Sequence, residues 1–115
     1  MLITPAISPE ALRTVLMRNG ALRVALVDIT VDVMRDKKKK GYYATSVKRF
    51  HSISGKGTPE ERFGATGSIY INYKDIDDLD MLLKAVAHES GHLLDDKEGA
   101  WQDILEYLKK EFKEA

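Results

Sequence analysis

The apolar residues change period several times along the chain, and each change predicts an element. Leu12, Val15 and Leu16 recur at helical spacing behind Ser8-Pro9-Glu10. Serine suits the N-cap, proline the first helical position, and an acid the positive end of the helix, so a helix starts at Ser8. Asn19-Gly20 predicts its end as a left-handed cap. Over residues 21–34, Leu22, Val24, Leu26, Ile29, Val31 and Val33 bring β-branched and apolar character over a length too great for one ordinary strand. One long bent strand is expected there, or two with a break near Asp28. Asp36, the four lysines Lys37, Lys38, Lys39 and Lys40, and Gly41 form a polar connection. Strand character resumes in Tyr42, Tyr43, Ala44, Thr45, Val47 and Phe50, which predicts a hairpin.

Residues 52–67 hold four glycines and a single capped turn, Thr58-Pro59-Glu60-Glu61, and are expected to be irregular. Residues 68–73 then alternate as a strand. Leu79, Leu82, Leu83, Val86, Ser90 and Leu93 make an apolar or small stripe at helical spacing, with Asp75, Asp77, Asp78 and Asp80 crowding the start where acids suit the helix dipole. A final helix is marked by Trp101, Ile104, Leu105, Leu108 and Phe112. The expected fold class is α+β: an N-terminal helix, a short, mostly antiparallel sheet of three to four strands, and two C-terminal helices.

Composition narrows the function classes. At 115 residues the chain is expected to form a single domain, 1–115, with one core. Its 18 basic and 18 acidic side chains cancel, so nothing global points to a nucleic acid or membrane partner. The lysine run with Lys48 and Arg49 reads as a basic patch, or as a solvated turn whose charges keep an edge strand from pairing with another chain. The absence of cysteine removes disulfides, thiolate nucleophiles and cysteine zinc ribbons. Met1-Leu2-Ile3-Thr4-Pro5 lacks a basic and then apolar leader, so the cytoplasm is the default location.

The candidate chemistry sits in the penultimate helix. His88 and His92 are four residues apart, on one helical face, so both rings can aim at one point, and neutral imidazole suits a divalent zinc ion. Glu89 lies about 100° round the helix, where a carboxylate reaches metal-bound water as general base. Together they write the H-E-x-x-H zinc-protease pattern. His51 stands alone and is left out of this set. With Trp101 taken as the inward direction of the last helix, Glu98 lies about 60° away, Glu111 about 80°, Glu106 about 140° and Asp103 about 160°. Glu98 is therefore the expected third ligand, with Asp103 as geometric rival and Glu106 and Glu111 as further candidates. Tyr107, Tyr70 or Tyr73 would supply an oxyanion-stabilising hydroxyl.

His88-Glu89-Ser90-Gly91-His92 followed by Leu93-Leu94-Asp95-Asp96 resembles the active-site helix of lethal-factor-like zincin metallopeptidases. Glu98-Gly99-Ala100 with Glu106-Tyr107-Leu108 is similar to the glutamate helix of gluzincins, and the size and order of elements resemble the minigluzincins. The resemblance implies a zincin-like fold and a zinc-dependent endopeptidase with His88, His92 and Glu98 as ligands and Glu89 as base. It also implies a peptide or protein substrate and a latent form whose C-terminal tail blocks the cleft. The strand before the metal helix would form the cleft rim in such an enzyme, which gives Gly67, Ser68, Ile69 and Tyr70 a substrate-binding role by strand addition. Two other classes stay open: a binding or regulatory module without turnover, and a nucleic-acid module using Lys37 to Lys40 and Arg49. Neither sequence nor resemblance sets the oligomeric state.

Overall fold

In the computed structural model, residues 7–34, 44–52, 63–72 and 78–113 are described. Helix α1 (Pro9–Met17) begins as its residues dictate: Ala11 N–H donates to Ser8 Oγ at 3.1 Å, and Leu12, Val15 and Leu16 are buried. Its end departs from expectation. Arg18 closes α1 in right-handed geometry, and Asn19 instead caps a second, short helix, α2 (Gly20–Ala25), accepting a bond from Leu22 N–H at 3.2 Å. Leu22 and Leu26 explain why the first half of the expected strand is helical. They stand four residues apart and both are buried, whereas Val24 between them is 91% exposed.

Strand β1 (Asp28–Val33) follows, then β2 (Ala44–Ser52) and β3 (Phe63–Ile71), in the order β1-β3-β2. β1 and β3 run parallel, whereas β2 and β3 are antiparallel. The sheet is thus mixed rather than mostly antiparallel, and the expected β1–β2 hairpin does not form, because β3 lies between them. The residue types give the reason. β3 carries no charged side chain and includes Gly64, Ala65, Gly67 and Ser68, which suits a strand flanked on both sides; β1 holds Asp28 and Asp32 and β2 holds Lys48 and Arg49, which suit edges. The connecting lysines Lys37 to Lys40, and with them Tyr42, Tyr43, Tyr73, Asp75, Asp77 and the turn at 58–61, lie outside the described residues.

β3 also begins earlier than its alternation suggests, taking in Phe63 to Gly67. The nine-residue register with β2, from Ala44↔Ile71 to Ser52↔Phe63, draws this glycine-containing stretch into the sheet. Gly67 has a specific use: a Cβ there would stand 2.8 Å from Leu93 Cδ1, so its absence lets the next helix press onto the strand.

Helix α3 (Leu79–Leu93) and helix α4 (Ala100–Phe112) complete the fold. Leu82, Leu83, Val86 and Leu93 meet Ile29, Ile69, Ile71, Leu12, Leu16, Ile104 and Leu108 in one core. The helices pack on the sheet face bearing Ile29, Gly67 and Ile69; Thr30, Arg49 and Ser68 occupy the other, more polar face, where Thr30 Oγ1 bonds Ser68 Oγ at 3.0 Å. The chain is therefore a small α+β domain with N- and C-terminal helices flanking a mixed three-stranded sheet. Among the described residues no helix is long and apolar enough to cross a membrane.

Candidate functional site

The predicted chemistry collects where α3 ends and α4 begins. Asp78 starts α3 by accepting from Asp80 N–H at 2.9 Å, and the apolar stripe then buries one side of the helix, so the frame of the later residues is set. His88 and His92 fall on the exposed side, one turn apart, with ring centroids 5.1 Å apart and ring planes perpendicular. Glu89, one step round, is buried, 8% exposed.

After Leu93 the chain reverses sharply. Asp96 N–H donates to Gly91 O at 2.9 Å and Asp95 N–H to His92 O at 3.1 Å, closing the last carbonyls of the helix. Asp95 (φ 61°) and Asp96 (φ 54°) are both left-handed, a region that aspartate tolerates better than most side chains, and Gly99 (φ 78°) is left-handed as well. His92 Nδ1–H donates to Asp96 Oδ1 at 2.6 Å, and Lys48 Nζ, reaching up from β2, donates to both Asp95 carboxylate oxygens at 3.1 and 3.2 Å.

Gly91 sets how near α4 comes. A Cβ there would lie 2.8 Å from Trp101 Cβ, so only glycine admits this approach. It places the Trp101 ring 5.7 Å from that of His88. Between the two helices opens a notch of about 310 Å³ lined by His88, Gly91, Asp96, Lys97, Glu98, Gly99, Trp101 and Gln102.

This geometry overturns the zinc site. His88 and His92 do share a face, but among the described residues no three His, Asp or Glu side chains come together in a way that could hold a metal ion. The cause is the shortness of the connection. Glu98 follows His92 by only six positions, and the reversal through Asp95 and Asp96 leaves it exposed on the notch lining instead of closing on the two rings. Asp96 is engaged by the Nδ1–H of His92. Asp103 and Glu106 are exposed, and Glu111 pairs with Arg18 at 3.6 Å. The residues present do not fit a zinc ion, so the metal-activated water, the base role of Glu89 and the metalloendopeptidase assignment fall together. The likeness to zincins, gluzincins and minigluzincins stops at the short string of letters that suggested it.

Other expectations fail for related reasons. Gly67, Ser68, Ile69 and Tyr70 cannot receive an added strand, because β1 and β2 already flank β3 along that stretch. Tyr70 alternates onto the sheet face away from α3, and Tyr107 donates its hydroxyl to Val15 O at 2.5 Å, joining α4 to α1; neither serves the notch. Among the described residues the C-terminal tail does not plug it either. Lys113, just past α4, pairs with Asp80 in the first turn of α3, the opposite end from His92. Trp101, expected as a core residue rather than a substrate-stacking one, is a wall of the notch; the signal for the close approach that puts it there is Gly91, a helical glycine ten residues before the tryptophan. Lys48, held only as part of a surface patch, was missed too, and no local pattern pairs it with Asp95. When the chain was compared with protein-family models, with curated proteins and with solved structures, none of them matched it.

Proposed function

We propose that the chain is a peptide-recognition module whose α3–α4 notch takes the cationic side chain, lysine or arginine, of a partner peptide. The observation that carries this reading is the Trp101 ring set 5.7 Å from His88 beside the carboxylates of Asp96 and Glu98 in one concavity. Aromatic faces attract cations, worth about 0.5–1 kcal/mol at an exposed site. Glu98, and the Asp96 carboxylate oxygen that His92 leaves, add charge-assisted acceptors for a guanidinium or ammonium group. Lys97, on the same lining, offsets one of the two acids and leaves the notch net negative. A peptide in which one cation is flanked by small residues fits this balance better than a run of basic residues does.

Trp101 is the chain's only tryptophan, so its emission reports on the notch directly. The test is a fluorescence titration with an acetylated, amidated alanine pentapeptide carrying a central arginine, beside its glutamine counterpart. The expected result is a saturable change with the arginine peptide, in the range of about 1 mM for so small a contact, weakened by Glu98→Gln and by added salt. Equal responses to both peptides, or none, would reject the reading.

A further inference from the structure

The turn that furnishes the acids of the notch is tied to the end of α3 by the backbone bonds of Asp95 and Asp96, and side chains restrain it further. Two consecutive aspartates sit in left-handed backbone, a region that disfavours side chains bearing a Cβ, and such conformations persist where the surroundings impose them. His92 and Asp96 hold one side of this turn from within the same segment. The other restraint comes from a different layer. Lys48 stands opposite Gly67 in the β2–β3 register, and the Gly67 position faces Leu93, so the lysine stem rises on the helix side of the sheet. Its side chain is only 15% exposed, its Nζ contacts both oxygens of Asp95, and it passes 5.3 Å from the Phe50 ring centroid. The lysine stem is held by the packing around it, so although the Asp95 side chain is 69% exposed it meets a cation whose place is set by the sheet.

We infer that Lys48 is a positioning residue for the notch: by clamping Asp95 in its left-handed conformation it sets the path of the turn, and with it the places of Asp96 and Glu98. The inference rests on the peptide-recognition reading for its consequence but not for its geometry. Lys48 does not line the notch. Its effect passes through one backbone conformation, and glycine at position 95 would adopt that conformation unaided.

The experiment compares wild type, Lys48→Met, Lys48→Arg and the double variant Lys48→Met/Asp95→Gly in two readouts: amide hydrogen exchange at residues 94–96, and Trp101 fluorescence titration with the arginine pentapeptide. Lys48→Met should speed exchange at Asp95 and Asp96 about threefold, the scale of an ion pair with one exposed partner, and weaken peptide binding. Lys48→Arg should leave both near wild type. The double variant should recover peptide affinity, which a merely structural loss in β2 would not do. Unchanged exchange in Lys48→Met overturns the inference, and so does faster exchange with unaltered affinity or a double variant no better than the single one. If wild type itself gives no response to the peptide, the recognition reading fails, and exchange alone decides whether Lys48 holds the turn.

Discussion

Gly91 shows how one missing methyl group shapes the site. Replacing it with alanine should gain about 1 kcal/mol of intrinsic helix preference. The new Cβ would meet Trp101 Cβ at 2.8 Å, an atom fixed to the α4 backbone, and overpacking of that kind costs about 1–3 kcal/mol. The clash wins, so Gly91→Ala should lower the urea midpoint and shift Trp101 emission as α4 moves away. Ser90, its neighbour, predicts the opposite sign. Its Oγ is fully buried with no hydrogen-bond partner among the described residues. Ser90→Ala removes an unsatisfied hydroxyl and improves helix preference, and should stabilise by about 1 kcal/mol, read as a higher urea midpoint at unchanged slope. Glu89 belongs to the same scale: the pattern that suggested a base also set it one step round from the exposed His88, where it is buried.

The elements with a strong local signal were legible in the chain, and those decided by distant partners were not. α1, α3 and α4 each carry their stripe and start within a dozen or so residues, so Ser8, Pro9 and the leucines of α3 sufficed. α2 was misread because Val24 supplied a β-branched residue to an otherwise helical Leu22–Leu26 pair, and only burial of those two leucines decides the period. Pairing order was not legible either, since the strand expected over 68–73 left out the uncharged stretch from Phe63 to Gly67 that lengthens β3 against β2. For the candidate site, the helical face shared by His88 and His92 was correct as geometry, but the third ligand depended on the path of a turn that propensity does not fix. Contacts between helices give a further test. Tyr107 is the link from α4 to α1, and Val15 O also accepts from Arg18 N–H at 3.2 Å, so the carbonyl is not stranded if the tyrosine hydroxyl goes. Tyr107→Phe should therefore cost no more than about 1 kcal/mol in chemical denaturation.

Across the whole molecule the same contacts set the pH limits of stability. Burial, reinforced by Glu111 and opposed by Arg18, raises the Tyr107 hydroxyl above the ordinary tyrosine range. A raised value in the folded state means its contribution is intact below that range and lost as pH climbs through the raised value. Tyr107→Phe should thus flatten the alkaline limb of a plot of stability against pH. Asp80 behaves in the reverse sense: its hydrogen bond from Lys113, then the charges of Lys113 and Lys109, lower its carboxyl. Its contribution is present above the ordinary aspartate range and lost as pH falls through the lowered value. Lys113→Gln should shrink the acid-side loss in thermal melts between neutral and acid pH, by a small amount because the pair is exposed to solvent.

The central place of β3 has a consequence for how the chain reaches its native state. Asp28 finds its partner Thr66 far downstream, and β1 and β2 share no edge, so neither has a mate until the third strand has left the ribosome. The β2–β3 pair, closer in sequence, is the natural first assembly, and β1 with its helix docks afterwards across a long loop closure, which slows folding. A nascent fragment that stops at residue 62 should accordingly hold no sheet and, because α1 and α2 are too short to persist without the core, little helix, and far-ultraviolet circular dichroism of that fragment would show it.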